Sequence, residues 1–125
     1  GYPVDIAPEL TAVLRAAALN EFEEADTVYP AFAKVASEEG FAGVASKFTQ
    51  IAEIERTHGE RLVYFEELLE KKQLFAEQSP TQWFCLNCGK VHTATEAPGI
   101  CPVCGHDRGY FVRQPLAPYT GQGCF

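Results

Sequence analysis

Two stretches of sequence decide the fold: ALNEFEEADTVYPAF at residues 18–32 and IAEIERTHGERL at residues 51–62. Around them, apolar residues follow the three- and four-residue spacing of helices packed in a bundle. These apolar residues, called the seam below, are Leu10, Leu14, Ala17, Val28, Ala31 and Val35, then Phe41, Val44, Phe48, Ile51, Leu62, Phe65 and Leu69. A turn is expected before Gly40, which is placed as a C-terminal stop. The pattern therefore predicts a helical hairpin.

Ionisable residues interrupt both halves of the seam at matching positions. The first half continues in phase through Glu21 and Glu24, and the second half continues through Glu55 and His58. A turn centred near Gly40 makes the helices antiparallel and places these four residues within about one turn of each other. We call them the polar layer, because they cross an otherwise apolar seam.

The polar layer requires compensating positive charge. Two carboxylates about 4 Å apart repel by roughly 4 kcal/mol even at an effective dielectric of 20, and the seam contains no Lys or Arg. A solvated polar face is the common alternative for helical glutamates. Off-seam glutamates are present for comparison, namely Glu23, Glu38, Glu53 and Glu66. Because the layer instead lies in phase with the seam, the pattern favours bound divalent metal ions.

A single hairpin cannot bury its own seam, so the sequence predicts an obligate homodimer. Four-helix di-metal proteins use one Glu from each of two helices and Glu-x-x-His from each of the other two. Two copies supply this set through Glu21, Glu55 and His58, with Glu24 as an extra ligand in each chain. Ligation rich in oxygen, with two imidazoles, favours iron or manganese over closed zinc coordination. The expected fold is mainly α-helical.

Four cysteines form two knuckles, Cys85-Leu-Asn-Cys88-Gly and Cys101-Pro-Val-Cys104-Gly. Four thiolates with this spacing make a tetrahedral site for zinc or iron. About 35 residues need such a site to remain folded. The spacing leaves the metal open between a structural zinc ribbon and a redox-active iron, and the neighbouring polar layer favours iron.

Other residues receive plainer interpretations. Cys124 is interpreted as an incidental surface thiol, and His92 and His106 as surface or supporting residues rather than ligands. Pro30 lies within the first helical pattern, and the helix either ends at Tyr29 or continues with a kink. We favour the continuous helix, because the apolar spacing resumes beyond the proline.

The expected organisation is a helical hairpin over residues 1–75, a linker over 76–82, a four-cysteine domain over 83–113 and an irregular tail over 114–125. The net charge of −7 disfavours a nucleic-acid partner. No apolar run is long enough to span a bilayer, which argues against a membrane partner. No secretory signal is recognisable, so a cytoplasmic location is the default expectation.

The sequence resembles the rubrerythrin family. NEFEEADTVYPAFAK at 20–34, EGFAGVA at 39–45 and IERTH at 54–58 are similar to its second helical hairpin, and residues 83–111 to its C-terminal rubredoxin domain. The resemblance implies a ferritin-like bundle. It also implies iron ligands, namely Glu21, Glu24, Glu55 and His58 for a di-iron site, and Cys85, Cys88, Cys101 and Cys104 for a single iron.

The resemblance further implies a non-haem di-iron peroxidase that reduces hydrogen peroxide to water in oxidative-stress defence. Electrons would enter from a reductase through the rubredoxin-type iron. Glu24 would move on or off iron, and Tyr29 matches a family tyrosine that hydrogen-bonds near the di-iron site, with core packing as its alternative role.

This chain departs from the family pattern in carrying one hairpin rather than two, and in its tail. Two further functions stay open at this point. One is ferritin-like iron oxidation and storage, and the other is a non-enzymatic zinc-ribbon module whose helices only dimerise.

Overall fold

A computed structural model describes residues 9–117, and the chain divides after Lys71 into two compact units. We call them the hairpin unit and the knuckle unit. The interpretation of Cys124 concerns a position outside the described residues. Among the described helices, none combines the length and apolar character needed to cross a membrane.

The first arm of the hairpin is one continuous helical segment with a wide turn in it. Helix α1 spans Leu10–Glu23, a π-helical turn spans Glu24–Val28, and α2 spans Tyr29–Glu38. In the wide turn, the N–H of Tyr29 donates to the carbonyl of Glu24, five residues back. Pro30 directly follows this wide turn, where the i→i−4 hydrogen-bond ladder is already interrupted and its missing N–H costs little. The prediction that the helix continues across Pro30 is therefore confirmed, with the irregularity placed just before it.

A tight turn reverses the chain. The N–H of Phe41 donates to the carbonyl of Ala36 at 2.8 Å, and Gly40 takes a φ of +84°. Glycine adopts this conformation without steric cost, which explains the stop after α2. Helix α3 then spans Ala42–Glu70.

Ionic contacts between the arms confirm the antiparallel register. Arg15 pairs with Glu66 near the open end of the hairpin, and Asp26 pairs with Arg56 closer to the turn. Between these pairs, Glu21 lies 3.5 Å from Nδ1 of His58. The predicted turn position therefore places the two arms correctly.

Small residues fill the contact between the two arms. The buried positions of the hairpin are mostly alanine and glycine: Ala18, Ala25, Ala36, Ala52 and Gly59, joined by Glu66 and Leu68. The predicted seam lies beside this stripe rather than on it, and several of its large members are half-exposed, including Val35 at 51% and Phe41 at 58%. One hairpin therefore closes its inner stripe and leaves its seam open.

The knuckle unit contains a three-stranded antiparallel sheet in the order β2-β1-β3. Strand β1 spans Ala76–Cys85, β2 spans Val91–Glu96 and β3 spans Phe111–Arg113. The sequence predicts a linker over 76–82, whereas the structure places these residues in β1. Pro80 misled the prediction, because it lies within the irregular stretch of pairing between Ala76 and Thr81, where a strand tolerates proline. Within the predicted tail, Gln114–Leu116 form a 3-10 turn.

The core of this unit forms around the cysteines. Its buried residues are Trp83, Cys85, Ala97, Cys101 and Phe111. Arg113 closes one side, with its guanidinium 5.1 Å from the Trp83 ring centre and its donors on the carboxylate of Glu77 and the carbonyl of Leu74. This anchoring role of Arg113 was not predicted from the sequence.

Candidate metal centres

The four cysteines meet at one point in the knuckle unit. Sγ of Cys85 lies 3.7 Å from Sγ of Cys104, Sγ of Cys88 lies 3.7 Å from Sγ of Cys101, and all four sulfur atoms fall within 4.8 Å of one another. Metal–sulfur bonds of about 2.3 Å in a tetrahedron give sulfur separations of roughly 3.8 Å. A disulfide requires about 2.05 Å. The spacing is therefore that of a metal site.

Two equivalent turns shape this cluster. Gly89 and Gly105 adopt φ of +78° and +77°, and each N–H donates to the carbonyl of the first cysteine of its knuckle, Cys85 or Cys101, at 2.8 and 2.9 Å. These turns direct further backbone N–H groups at sulfur. Glycine adopts a positive φ without steric cost, which explains the glycine that follows the second cysteine of each knuckle.

The thiols have unequal acidity as a result. The N–H of His106 lowers the pKa of Cys104 to about 6, supported by the Asn87 side chain. The N–H of Lys90 lowers the pKa of Cys88, but partial desolvation and hydrogen bonds from the other thiols outweigh it and raise that pKa to about 12. Since thiolates are the metal-binding form, Cys104 reaches that form at lower pH than Cys88 does.

A second cluster lies midway along the hairpin. Donor atoms of Glu21, Glu55 and His58 fall within 4.8 Å of one another. Nδ1 of His58 is 2.7 Å from Oε2 of Glu55, a hydrogen bond within one helical turn. The side chains of Glu21 and Glu55 are only 26% and 16% exposed. The hairpin therefore brings together three of the four residues of the predicted polar layer.

The carboxylates of this cluster repel one another. Burial raises the pKa of Glu21, and the hydrogen bond and negative charge of Glu55 raise it further, while His58 lowers it. Among the described residues, the basic group within ion-pair distance of Glu21 and Glu55 is the His58 imidazole, with no Lys or Arg beside it. A cation bound here would remove the repulsion.

Glu24 stands apart from the three clustered residues. Its carboxylate accepts a hydrogen bond from Nδ2 of Asn20 at 2.9 Å. Its charge still contributes to raising the pKa of Glu21, so it lies near the cluster without joining it. Asn20 was not identified by the sequence reasoning, although its i, i+4 spacing from Glu24 is the available signal.

The remaining candidates occupy supporting positions. The ring of Tyr29 packs at 6.2 Å from Phe32 and 6.1 Å from Phe48, measured between ring centroids. The His106 ring packs edge-on against Tyr110 at 4.3 Å. His92 pairs with Trp83 in the sheet, and the metal-type cluster of the knuckle unit consists of its four cysteines.

The donor sets match two different kinds of metal chemistry. Four soft thiolates at tetrahedral spacing fit iron or zinc, and carboxylates with an imidazole fit iron or manganese. Iron suits both sets. Together with the fold, the two clusters define a class of protein: a helical-hairpin metal protein with a four-cysteine knuckle unit.

Comparison with known families agrees with this class. The profile of the family described as "Rubrerythrin" matches residues 9–82, and that of "Rubrerythrin, rubredoxin-like domain" matches residues 83–112. The chain belongs to the rubrerythrin family. Membership implies iron as the cofactor of the four-cysteine and Glu/His clusters, which is the metal both donor sets accept.

Named relatives give the extent of the similarity. The chain is 37% identical to rubrerythrin of Nitratidesulfovibrio vulgaris over 110 residues, and 41% identical to rubrerythrin of Porphyromonas gingivalis over 110 residues. Each alignment covers 88% of this chain, but only 58% and 55% of the respective relative. The chain therefore spans a little over half the length of these curated relatives.

Solved structures are similar over most of the chain. Nigerythrin in a partially reduced state matches with a TM-score of 0.50 and 27% identity, covering 90% of this chain and 54% of that one. Nigerythrin in a mixed-valence state matches with a TM-score of 0.50 and 28% identity, covering 90% and 55%. The predicted mainly helical fold with a small rubredoxin-like domain is confirmed.

Proposed function

We propose that this chain is a homodimeric iron peroxidase, which reduces hydrogen peroxide to water with electrons passed through the knuckle unit. The carrying observation is the pairing of two unlike clusters in one chain, a carboxylate–histidine cluster and a four-thiol cluster. An iron-storage protein does not require the four-thiol cluster, and a zinc-ribbon adaptor does not require the carboxylate–histidine cluster. The reaction consumes one peroxide, two protons and two electrons and yields two water molecules.

The ligand assignment follows the donor sets. Glu21, Glu55 and His58 from each of two copies would hold two iron ions, with Glu24 as the spare carboxylate of each copy. Cys85, Cys88, Cys101 and Cys104 would hold one more iron, with zinc as the alternative occupant of that site. The iron supplies one-electron redox steps and a Lewis-acidic surface for peroxide; the protein supplies position, protons and exclusion of water.

The polar layer is suited to proton handling. Burial raises the pKa of the Glu21 carboxyl in the metal-free layer, and a bound cation would reverse this by stabilising its ionised form. Glu24 is held nearby by Asn20 and can exchange that hydrogen bond for another partner. We assign Glu24 and the hydroxyl of Tyr29 to hydrogen bonding and proton delivery during peroxide cleavage. The packing of Tyr29 on Phe32 and Phe48 would fix the ring for this role.

A second copy would complete the bundle. Glu55 and His58 lie on either side of the midpoint of α3, so a two-fold axis through the polar layer would superpose equal lengths of helix. The turn end of the hairpin carries an open apolar groove of about 700 Å³, lined in part by Phe32, Phe41 and Val44. Half-exposed Leu10 at 53% lies toward the opposite end. Each turn end would therefore cover the open end of its partner.

Anaerobic reconstitution with Fe²⁺ tests the proposal. We expect four irons per homodimer, two in the polar layer shared by the two chains and one in each of the two knuckle units, with thiolate-to-iron absorption bands. Hydrogen peroxide should reoxidise the reduced protein and turn over with a supplied reductant. His58→Ala should lower turnover by roughly 100-fold or more while leaving the thiolate bands intact.

Three results would contradict the proposal. If hydrogen peroxide reoxidises neither iron centre, the protein is not a peroxidase. Uptake of many irons per chain without peroxide turnover indicates storage. Zinc in the knuckle unit with no metal retained by the polar layer indicates a dimerisation module. The matched control is Glu53→Gln on the same helix, since Glu53 is exposed and off the seam and should leave turnover unchanged.

A further inference from the structure

Gly59 lies in α3 directly after His58 and is one of the few buried positions of the hairpin. Opposite it on α1 is Phe22, which directly follows Glu21. A Cβ placed on Gly59 would lie 2.7 Å from Cε1 of Phe22 and 2.9 Å from both Cδ1 and Cζ. Nonpolar carbons normally approach to about 3.5–4.0 Å. The phenyl ring therefore occupies the space that any side chain at this position would need.

This contact connects the two arms at the level of the polar layer. Each partner is the immediate neighbour of a clustered residue, Phe22 of Glu21 and Gly59 of His58. The ring can reach the backbone of α3 because no side chain intervenes. Enlarging position 59 would push the ring away or the arms apart by several tenths of an ångström, at the place where three donor atoms lie within 4.8 Å.

We infer that Gly59 is a positioning residue, whose missing side chain lets Phe22 set the helix separation that brings Glu21 within metal-binding reach of Glu55 and His58. This inference rests on the proposed metal-binding function of the layer. It adds a residue that makes no ligand contact and that metal-ligand reasoning does not identify. Metal–ligand distances lie within about 0.2 Å of their ideal values, so a change in helix separation of several tenths of an ångström matters there.

The test is Gly59→Ala in the full chain, stripped of metal and titrated anaerobically with Co²⁺. Cobalt bound by thiolates gives intense charge-transfer bands, whereas cobalt bound by oxygen and nitrogen gives weaker ligand-field bands. We expect the affinity of the polar layer to fall by roughly tenfold or more, as when residues that support metal ligands are changed. The charge-transfer bands of the knuckle unit should be unchanged.

Gly43→Ala is the matched control. Gly43 lies in the same helix, and a Cβ there meets no atom within 4 Å. Both substitutions replace glycine by a better helix former, in the first turn of α3 for Gly43 and in its interior for Gly59. Gly43→Ala should therefore leave cobalt affinity at wild-type value, and the difference between the two variants isolates the contact with Phe22.

A compensating change separates positioning from simple misfolding. In the double variant Gly59→Ala, Phe22→Leu, the smaller side chain leaves room for the methyl group and should restore most of the cobalt affinity. Should Gly59→Ala alone fail to fold, the double variant carries the test. Wild-type affinity in Gly59→Ala, or no recovery in a folded double variant, would overturn the inference. Failure of the wild-type layer to bind cobalt at all would instead overturn the proposed function.

Discussion

The knuckle unit and the hairpin unit bury their cores in opposite ways. In the knuckle unit, the largest fully buried side chains are Trp83, Cys85 and Cys101, so two of the four candidate metal ligands are part of the core, while Cys104 is partly buried and Cys88 is exposed. In the hairpin, the buried positions are mostly alanine and glycine, while large seam residues such as Phe41 stay half-exposed. The knuckle unit therefore encloses most of its candidate site, whereas the hairpin leaves its large apolar residues exposed.

The largest expected effect is loss of the knuckle unit when its metal is removed. Structural metal sites of this size contribute on the order of 10 kcal/mol. Chelation or Cys101→Ser should therefore expose Trp83, the only tryptophan of the sequence, and shift its fluorescence toward that of indole in water. Circular dichroism should show the helices retained. Cys124→Ser is the control and should leave the fluorescence unchanged. If Trp83 stays buried in the metal-free protein, the core of the knuckle unit does not depend on its metal.

The next largest expected effect is weaker dimerisation when the open apolar groove of the hairpin carries a charge. Val44→Asp puts a charge into the apolar groove at the turn end, where burial without a partner costs several kcal/mol. The dissociation constant of the dimer should rise by at least about 100-fold, measured by sedimentation, because 1.4 kcal/mol corresponds to tenfold. Ser46→Asp, exposed on the same helix and off the seam, adds the same charge and should change nothing. A monomeric wild-type protein would refute the two-copy bundle.

The smallest expected effect is a dependence of the stability of the metal-free hairpin on pH. The pKa of Glu21 is raised above its ordinary 4.5 in the folded hairpin, chiefly by burial. Its protonated form therefore stabilises the metal-free fold below that ordinary value, and the stabilisation is lost as pH rises through the raised pKa.

Glu21→Gln should accordingly make the metal-free hairpin more stable than wild type at neutral pH, by about 1 kcal/mol or less given its partial exposure. The two should converge in acid, and thermal unfolding followed by circular dichroism measures the difference. With metal bound, the order should reverse, since the variant lacks a ligand. An equal difference at both pH values would show that Glu21 carries no electrostatic strain.

Sequence reasoning succeeded where the pattern has one physical meaning. Two Cys-x-x-Cys-Gly knuckles in a short segment predict one cluster of four thiols. The turn before Gly40 is predicted because glycine readily adopts the positive φ that such a turn needs. The antiparallel register then brings Glu21 to His58 without further information. These inferences depend on local spacing, which the sequence displays directly.

It failed where the outcome depends on packing. The stripe of Ala18, Ala25, Ala52 and Gly59 was passed over, because small residues give a weak hydrophobic signal although they allow the closest helix approach. Glu66 was placed off the apolar seam, yet the structure buries it against Arg15. Residues 76–82 were predicted to be a linker, because composition does not reveal that an irregular strand can accommodate Pro80.

The wide turn at Glu24–Val28 has a genetic consequence. It holds one residue more than an ordinary helical turn, so it resembles a single-codon insertion preserved in the protein. Because the wide turn absorbs the extra residue, α1 and α2 keep the faces they would have in a regular helix one residue shorter. Loss of one codon there would therefore leave Glu21 facing His58, whereas the same loss in the regular part of a helix would rotate the residues before it by about 100°.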